Sequence, residues 1–546
     1  MPTPLPADPP PASRFSLRRL DPFLVLLVLV LLLFYGGYLL PRCLRYQFLT
    51  WDAYRDLIAA RHLLAGGRLI DDPVLKGYFC WYPPLHAALC SCFIFLTGMD
   101  VFRFYALTPV FLNWIFPLVF YLFFRRLLDH DRPAACITTL SLVLMPWAVT
   151  YVFASPVVMA HATAFALLLL YAYSHLPLAF TRCALAWSAA LGFMGLYHPP
   201  TFLILLASVL LHRLLLAWRA KTPSLLIRWL LPCGLVAAFF SSPYGILNLL
   251  ESIHNSEPLR YIAPGLSHWE IVLPGTSWLR FFPWVILAAI GFYTGVWQRR
   301  DALSWLLLSL FVVSLLGQIP AYLVLWLGDA SSWIAYLHVL LPHEFQLYSQ
   351  LCLCGFAGLG LHRLLPHALK PFRLAPWLLL LPALISLVLS LAEFPSRSQV
   401  FLQPHRLAGE WTEPVRFIRS HNGVYDVFCT PDDWSAFFVI GAQTGRKCLE
   451  TYPSHMNPHA HAASRESARQ RLYTSASLEE ITRLRDSFSL DYLLATVPSV
   501  PSERLQFFQN ALKCVYDDGT VYIFQLDPAQ NDEGQNHDRT INENHL

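Results

Sequence analysis

Apolar stretches of roughly 17–25 residues recur along the chain, each the length a helix needs to cross a hydrocarbon core of about 30 Å. They fall near 22–41, 101–124, 134–152, 156–175, 182–197, 200–218, 228–247, 280–298, 302–319, 344–362 and 374–392. This pattern predicts a polytopic α-helical membrane protein of about 11 spans. Two stretches break the rhythm. Residues 42–100 are mixed in polarity, and past Glu393 the long apolar runs stop. A shorter apolar segment, 84–98, is expected to lie on or re-enter the outer surface, being too short to span.

Composition agrees: of 546 residues, 56% are hydrophobic and only 14% charged, which excludes an ordinary soluble domain. Charge then orients the chain. Basic clusters at Arg18-Arg19, Arg125-Arg126 with Arg132, Arg213 to Lys221 with Arg228, Arg299-Arg300 and Arg363 to Arg373 all fall on one side of the expected spans. The positive-inside rule makes that side cytoplasmic. The expected organisation is a cytoplasmic tail 1–20, a transmembrane domain 21–392 with outer loop 42–100, an extracytoplasmic domain 393–527 and a polar tail 528–546. The Pro-rich start reads as a flexible tail and not a cleavable signal, since the apolar run after it is long and lacks a small-residue cleavage site. The net charge of +4 is accounted for by the inner loops and calls for no nucleic-acid partner.

Past residue 393, strand signals alternate with helix signals. Strands are expected at 423–430, 447–450 and 491–497, with a hairpin of 512–516 and 520–525 across Asp517-Asp518-Gly519. Helices are expected after Pro431-Asp432-Asp433, from Ser477 with Glu480 as a capping box, and over 502–511. This alternation predicts a C-terminal extracytoplasmic α/β domain. His455, His459 and His461 cluster in a polar loop, where solvation is the simpler account than a metal. Of the twelve cysteines, Cys43 and Cys80 flank the first outer loop and Cys429, Cys448 and Cys514 lie in the outer domain; a disulfide in either place is open.

The candidate chemistry sits in the first outer loop. Trp51, Tyr54, Leu57, Ile58, Ala60 and Leu64 mark one stripe of an amphipathic helix suited to the membrane interface, and Gly66-Gly67 ends it. Asp52, Arg55 and Asp56 share another side of that helix. Asp71-Asp72-Pro73 makes a turn, Lys76 follows, and Tyr82-Pro83-Pro84 is extended before His86. A general base must be ionised, partly desolvated and oriented by a donor, and Asp52 beside Arg55 meets that description. A helix cap with an interfacial salt bridge would look the same. Further polar groups at the outer ends of spans are His161, His198 and His343-Glu344, with Arg260-Tyr261 and His268-Trp269-Glu270 in the 248–279 loop. Ionisable groups at such depth are expensive and mark candidate sites.

The order of these features resembles the opening of the GT-C superfamily: an apolar first helix, Asp52-Ala53-Tyr54, a helix ending in Gly-Gly, Asp-Asp-Pro, then Tyr-Pro-Pro-Leu. That superfamily includes the bacterial aminoarabinose transferases and the protein O-mannosyltransferases. The resemblance extends to Phe153-Ala-Ser-Pro156, to the outer loop 248–279 and to the appended domain, although only residues 50–100 carry motif-like detail. It implies a GT-C-like membrane glycosyltransferase that moves a sugar from a polyprenyl-phosphate donor to a lipid, glycan or protein acceptor at the outer face. Asp52 matches the family's acidic base, Asp56 and Asp72 would be secondary acids, and Lys76, His86 and the other histidines would donate toward phosphate. Many relatives have Asp-Glu where this chain has Asp52-Ala53, and Lys where it has Tyr82. No cofactor is required by the pattern; a divalent cation stays open, since Asp52, Asp56 and Asp72 would serve with or without one. The competing classes are a lipid or solute transporter, against which stands the lack of an internal repeat of spans, and a non-catalytic envelope scaffold.

Overall fold

The computed structural model describes residues 21–45, 51–143, 158–177, 180–254, 278–299, 301–319, 342–368, 381, 385, 409–451, 456–457, 459–474 and 476–526. Over these, the apolar runs are helices. The first is Pro22–Leu32, which passes through a π turn at Leu33–Leu39 into Leu40–Arg45. Val101–Leu112 and Ile115–Leu127 follow one another across a turn at Asn113-Trp114, where Pro109 interrupts the backbone ladder. Then come Arg132–Val143, Val158–Tyr173, Arg182–Tyr197, Pro199–Ala220, Pro223–His254, Trp278–Phe292 with a π extension Tyr293–Arg299, Ala302–Leu316 and Pro342–Ala368. The expected span 374–392 lies outside the described residues apart from 381 and 385, as do 144–152 and 156–157 of two others.

Among the described residues, Pro22–Leu39, Val101–Leu127, Pro199–Ala220 and Ile227–Leu247 are long and apolar enough to cross a membrane. Val158–Tyr173 and Ala302–Leu316 are apolar but only 16 and 15 residues long. Pro84–Thr97 is shorter again at 14 residues, and it turns Leu89, Phe93, Phe95 and Leu96 outward. Leu33, Trp218, Leu231 and Phe239 are likewise exposed on the longer helices. Outward apolar surface of this extent fits a lipid surrounding and not water.

The helices pack through aromatic and glycine contacts. Phe116, Phe120, Phe123 and Phe124 are fully buried on Ile115–Leu127, with the Phe120 and Phe124 rings 4.1 Å apart. Helices 278–292 and 342–368 approach so closely that a Cβ on Gly291 would run into the Phe356 carbonyl, and one on Gly360 into the Leu287 carbonyl. Small residues at such crossings let backbones meet in a bilayer, where no hydrophobic force drives helices together.

The C-terminal part forms a five-stranded sheet, order β2-β1-β3-β5-β4, from β1 Val427–Cys429, β2 Lys447–Cys448, β3 Tyr492–Thr496, β4 Lys513–Asp517 and β5 Val521–Gln525. β1 pairs in parallel with β2 and β3, while β3, β5 and β4 are antiparallel. β1 is wholly buried and β4 is a largely exposed edge. β1, β2, β3 and β5 are shorter than their expected ranges, and β4 keeps its expected length one residue later, because ladder pairing and not propensity sets the ends. Ser477 Oγ accepts from Glu480 N at 3.2 Å, but the Glu480 carboxylate pairs with Arg471 and so does not close a full capping box. Helices Thr412–His421 and Ala462–Thr474 were not anticipated. In the second, burial falls on Arg465 and Ala468 as much as on Leu472 and Tyr473, so the apolar period is weak. All twelve cysteines are free thiols, Cys43, Cys80, Cys429 and Cys448 among the buried ones and Cys514 exposed.

Candidate functional site

Helix Trp51–Leu64 carries the site. Its stripe of Ala53, Tyr54, Leu57, Ile58 and Ala60 is buried, and what covers it is protein. The Tyr54 ring meets Phe438 edge-on at 4.5 Å, and Gly441 sits against Ile58. Both come from the π-helical segment Ser435–Thr444. The interfacial helix expected from the sequence is therefore roofed by the C-terminal sheet domain. Amphipathicity shows that a face is covered, not by what.

The polar side of the helix holds one guanidinium between two carboxylates. Arg55 Nη1 donates to Asp52 Oδ1 at 3.2 Å. Its Nε and Nη2 donate to Asp56 Oδ1 at 3.1 and 3.0 Å. The Arg55 guanidinium also lies 3.6 Å from the centroid of the Tyr82 ring, a cation–π contact. The two acids differ in setting. The Asp52 side chain is 25% exposed and the Asp56 side chain 1%. Burial raises the Asp56 carboxyl above its ordinary value although Arg55 pulls the other way. Tyr105 fixes this turn of helix by donating to the Asp56 carbonyl at 3.0 Å.

A polar chain leads inward from Asp56. Its Oδ2 makes no hydrogen bond and lies 4.0 Å from His86 Nε2. His86 Nδ1 shares a hydrogen bond with the Tyr197 hydroxyl at 2.9 Å, and that hydroxyl reaches His161 Nδ1 at 3.3 Å. His161 Nε2 is buried without a partner. The chain joins four helices: 51–64, Pro84–Thr97, Arg182–Tyr197 and Val158–Tyr173. One hydroxyl between two imidazoles can donate to only one of them, so the two ring tautomers are coupled. At each end of this chain a buried atom, Asp56 Oδ2 and His161 Nε2, has no hydrogen-bond partner.

Arg55, Asp56, His62, Arg68, Tyr82 and His86 line an open cleft beside this array, about 630 Å³ with the solvent space at its mouth included, which also reaches Asp71, Asp72 and Phe437. Asp72 contributes little free polarity to it. Its Oδ1 accepts from Val74 N and Leu75 N at 2.9 and 2.8 Å, and its Oδ2 accepts from Asn457 at 3.1 Å. Its carbonyl accepts from the buried Lys447 ammonium. Burial pushes the Asp72 carboxyl up and the Lys447 ammonium down. His62 stands 3.5 Å from the same ammonium and is pushed down to about 4, mainly by burial and then by that charge. The Asp71 carboxylate accepts from the Tyr425 hydroxyl at 2.8 Å. Asp71-Asp72 thus ties the 65–83 segment to the C-terminal domain.

The structure therefore brings together Asp52, Arg55, Asp56, Tyr82, His86 and His161, and places Asp72 on the far wall of the same cavity. Lys76 points elsewhere and pairs with Asp491 at 3.7 Å. His198 is buried, with Nδ1 2.8 Å from the Thr201 hydroxyl, which in turn meets Tyr348 at 3.1 Å. His343 and Glu344 open helix Pro342–Ala368, and their side chains fall outside the described set. So do residues 260–261, 268–270 and His455. Among the described residues no three His, Cys, Asp or Glu side chains converge as metal ligands; Asp52 and Asp56 are separated by a guanidinium, and Asp72 is saturated. Tyr105, Tyr197 and Arg68 escaped sequence reasoning. Tyr105 and Tyr197 sit inside apolar helices, where the nearby Arg103 and His198 were the only hints.

The sequence matches no family model and no curated protein. Solved structures do match. The fold is similar to apo ArnT from Cupriavidus metallidurans, with TM-score 0.52 and 15% identity over 92% of this chain and 98% of that one. ArnT from the same organism bound to undecaprenyl phosphate matches at TM-score 0.50 and 14% identity over the same shares. Arabinofuranosyltransferase AftD from Mycobacteria matches at TM-score 0.58 and 15% identity, over 92% of this chain but only 40% of that one. At these identities the likeness is one of fold. That likeness of fold covers 92% of this chain, well beyond residues 50–100.

Proposed function

We propose that the chain is a GT-C-type membrane glycosyltransferase, moving a sugar from a polyprenyl-phosphate donor to a hydroxyl acceptor with Asp52 as the general base. The fold it shares with ArnT, crystallised with undecaprenyl phosphate, and with the arabinofuranosyltransferase AftD supports the reaction class. The observation that carries the assignment is the bridging of Asp52 and Asp56 by Arg55, with Arg55 and Asp56 in the wall of the open cleft. Asp56 is buried with one oxygen held by the guanidinium, whereas the Asp52 side chain is 25% exposed, which is what favours it as the base.

In the reaction, Asp52 takes the acceptor's hydroxyl proton, the oxygen attacks the anomeric carbon, and the bond from that carbon to the phosphate oxygen breaks. The electron pair leaves with the lipid phosphate. Arg55, Arg68 and the His86–Tyr197–His161 chain supply N–H and O–H groups near the cavity that can stabilise that charge. The topology that fits is about 11 spans with the N-terminus cytoplasmic and the sheet domain outside.

The test is turnover of polyprenyl-phosphate-linked sugars by purified protein. Asp52→Asn should lower turnover by about 10²–10⁴, the usual worth of a general base, with unchanged expression and folding. Wild-type turnover by that variant would remove Asp52 from the mechanism. Passage of the intact lipid-linked sugar across a vesicle membrane without sugar release would favour the transporter class instead.

A further inference from the structure

A second cavity lies at the opposite ends of the helices, remote from Asp52. It is an open hollow of about 540 Å³ with the solvent space at its mouth included, lined by Thr294, Arg299, Leu359, His362, Arg363 and His367, with Pro366. Its walls are the π extension Tyr293–Arg299 and the last turns of Pro342–Ala368. The turn after Ile115–Leu127 closes it from the side: Asp129 pairs with Arg299 at 2.7 Å and Asp131 with His362 at 2.6 Å. Those two acids neutralise two of the four basic groups. The other two, Arg363 and His367, make no hydrogen bond or ion pair with the described residues, and His367 Nδ1 is buried without a partner.

Basic residues at a helix C-terminus complement the helix dipole and need no further explanation by themselves. The dipole, however, requires no concavity, and it leaves the buried His367 nitrogen unexplained. An anion in the cavity accounts for both. The arginine distribution makes this the cytoplasmic side, where basic pockets between membrane helices receive lipid headgroup phosphates. The flank supports a lipid source. Tyr293 and Trp297, on the same wall, turn exposed aromatic surface outward, as interface-belt residues do, and Leu359 continues the lining apolar.

We propose that this cavity is a binding site for the phosphate of an anionic lipid headgroup, held by Arg363 and His367 with Arg299 and His362 behind them. Such a site would anchor the cytoplasmic ends of these helices against the 128–131 turn, independently of the chemistry at the outer face.

The experiment uses the full chain, purified and exchanged into mixed vesicles or analysed for retained lipid by native mass spectrometry. Phosphatidylglycerol or cardiolipin should be retained in preference to phosphatidylcholine. Arg363→Gln should weaken retention about fivefold, the worth of one basic group near a lipid surface, and adding His367→Gln should weaken it further. Arg416→Gln, at an exposed pair in the C-terminal domain, serves as the control with no effect. Inorganic phosphate is the second probe. Stabilisation by phosphate that Arg363→Gln abolishes, without lipid preference, would keep the anion site and assign it a soluble ligand. Equal retention of anionic and zwitterionic lipid together with no phosphate effect would overturn the proposal. So would lipid preference that survives the double variant. Monodispersity of each variant in detergent separates loss of binding from loss of fold.

Discussion

Arg55→Gln tests the central arrangement most directly. The guanidinium makes two hydrogen bonds to Asp56 Oδ1 and one to Asp52. Without it, the 1%-exposed Asp56 carboxylate has only His86 Nε2 nearby, at 4.0 Å. Breaking a buried ion pair by removing one partner costs roughly 3–5 kcal/mol, because the other charge is left uncompensated. The partly exposed Asp52 contact adds at most about 1 kcal/mol. Asp56→Asn alone should cost less, about 2 kcal/mol, since Arg55 keeps Asp52 and the amide can still accept. The double variant then removes the orphaned charge altogether and should be several kcal/mol more stable than the sum of the singles implies. The assay is denaturant unfolding in detergent, followed by tryptophan fluorescence, for all four members of the cycle.

The same variant makes a signed pH prediction. Burial already raises the Asp56 carboxyl, and loss of Arg55 raises it further. Between the unfolded-state value and that raised value the folded state holds a proton that the unfolded state does not. Stability therefore falls as pH rises through that window. The Arg55→Gln penalty should shrink at acidic pH. Singles that add to within about 0.5 kcal/mol, or a penalty that does not vary with pH, would refute the idea that Arg55 compensates a buried charge.

Three further outcomes are expected. His62, pushed down to about 4, binds a proton less readily folded than unfolded, so stability is lost as pH falls from 6.5 toward 4, up to about 3 kcal/mol; hydrogen exchange over 51–64 and 435–448 should rise in that window, and His62→Gln should flatten the response. Gly445→Ala places a methyl group 2.9 Å from Arg61 Cγ at a φ of +72°, and should cost about 1–2 kcal/mol and speed proteolysis between the helical and sheet domains; unchanged proteolysis would argue that this contact does not hold the domains together. Gly291→Ala drives a Cβ into the Phe356 carbonyl, and should abolish a monodisperse peak in detergent, whereas Gly234→Ala, which meets nothing, should not.

Helix 51–64 shows how far local pattern reaches. Its limits, its Gly-Gly stop, the turn at Asp72 and the short helix from Pro84 were all legible, because each depends on neighbours a few residues away. The shared side of Asp52, Arg55 and Asp56 was legible for the same reason, since three- and four-residue spacing puts groups on one helical face. Lys76 was expected to donate toward phosphate, yet it pairs with Asp491 just before β3, more than 400 positions away.

What the sequence by itself determined is therefore the apolar architecture and the clustering of acids and one arginine on a short helix, with an expectation for the side of each loop. Those follow from hydrophobic length, charge bias and helical period, which are local properties. Only the tertiary structure decided which acid is buried and which is exposed, that Ser435–Thr444 roofs the helix, and that His86, Tyr197 and His161 from three separate helices form one polar chain. Burial and hydrogen-bond partnership are set by segments distant in the chain, and no local pattern encodes which of them will meet.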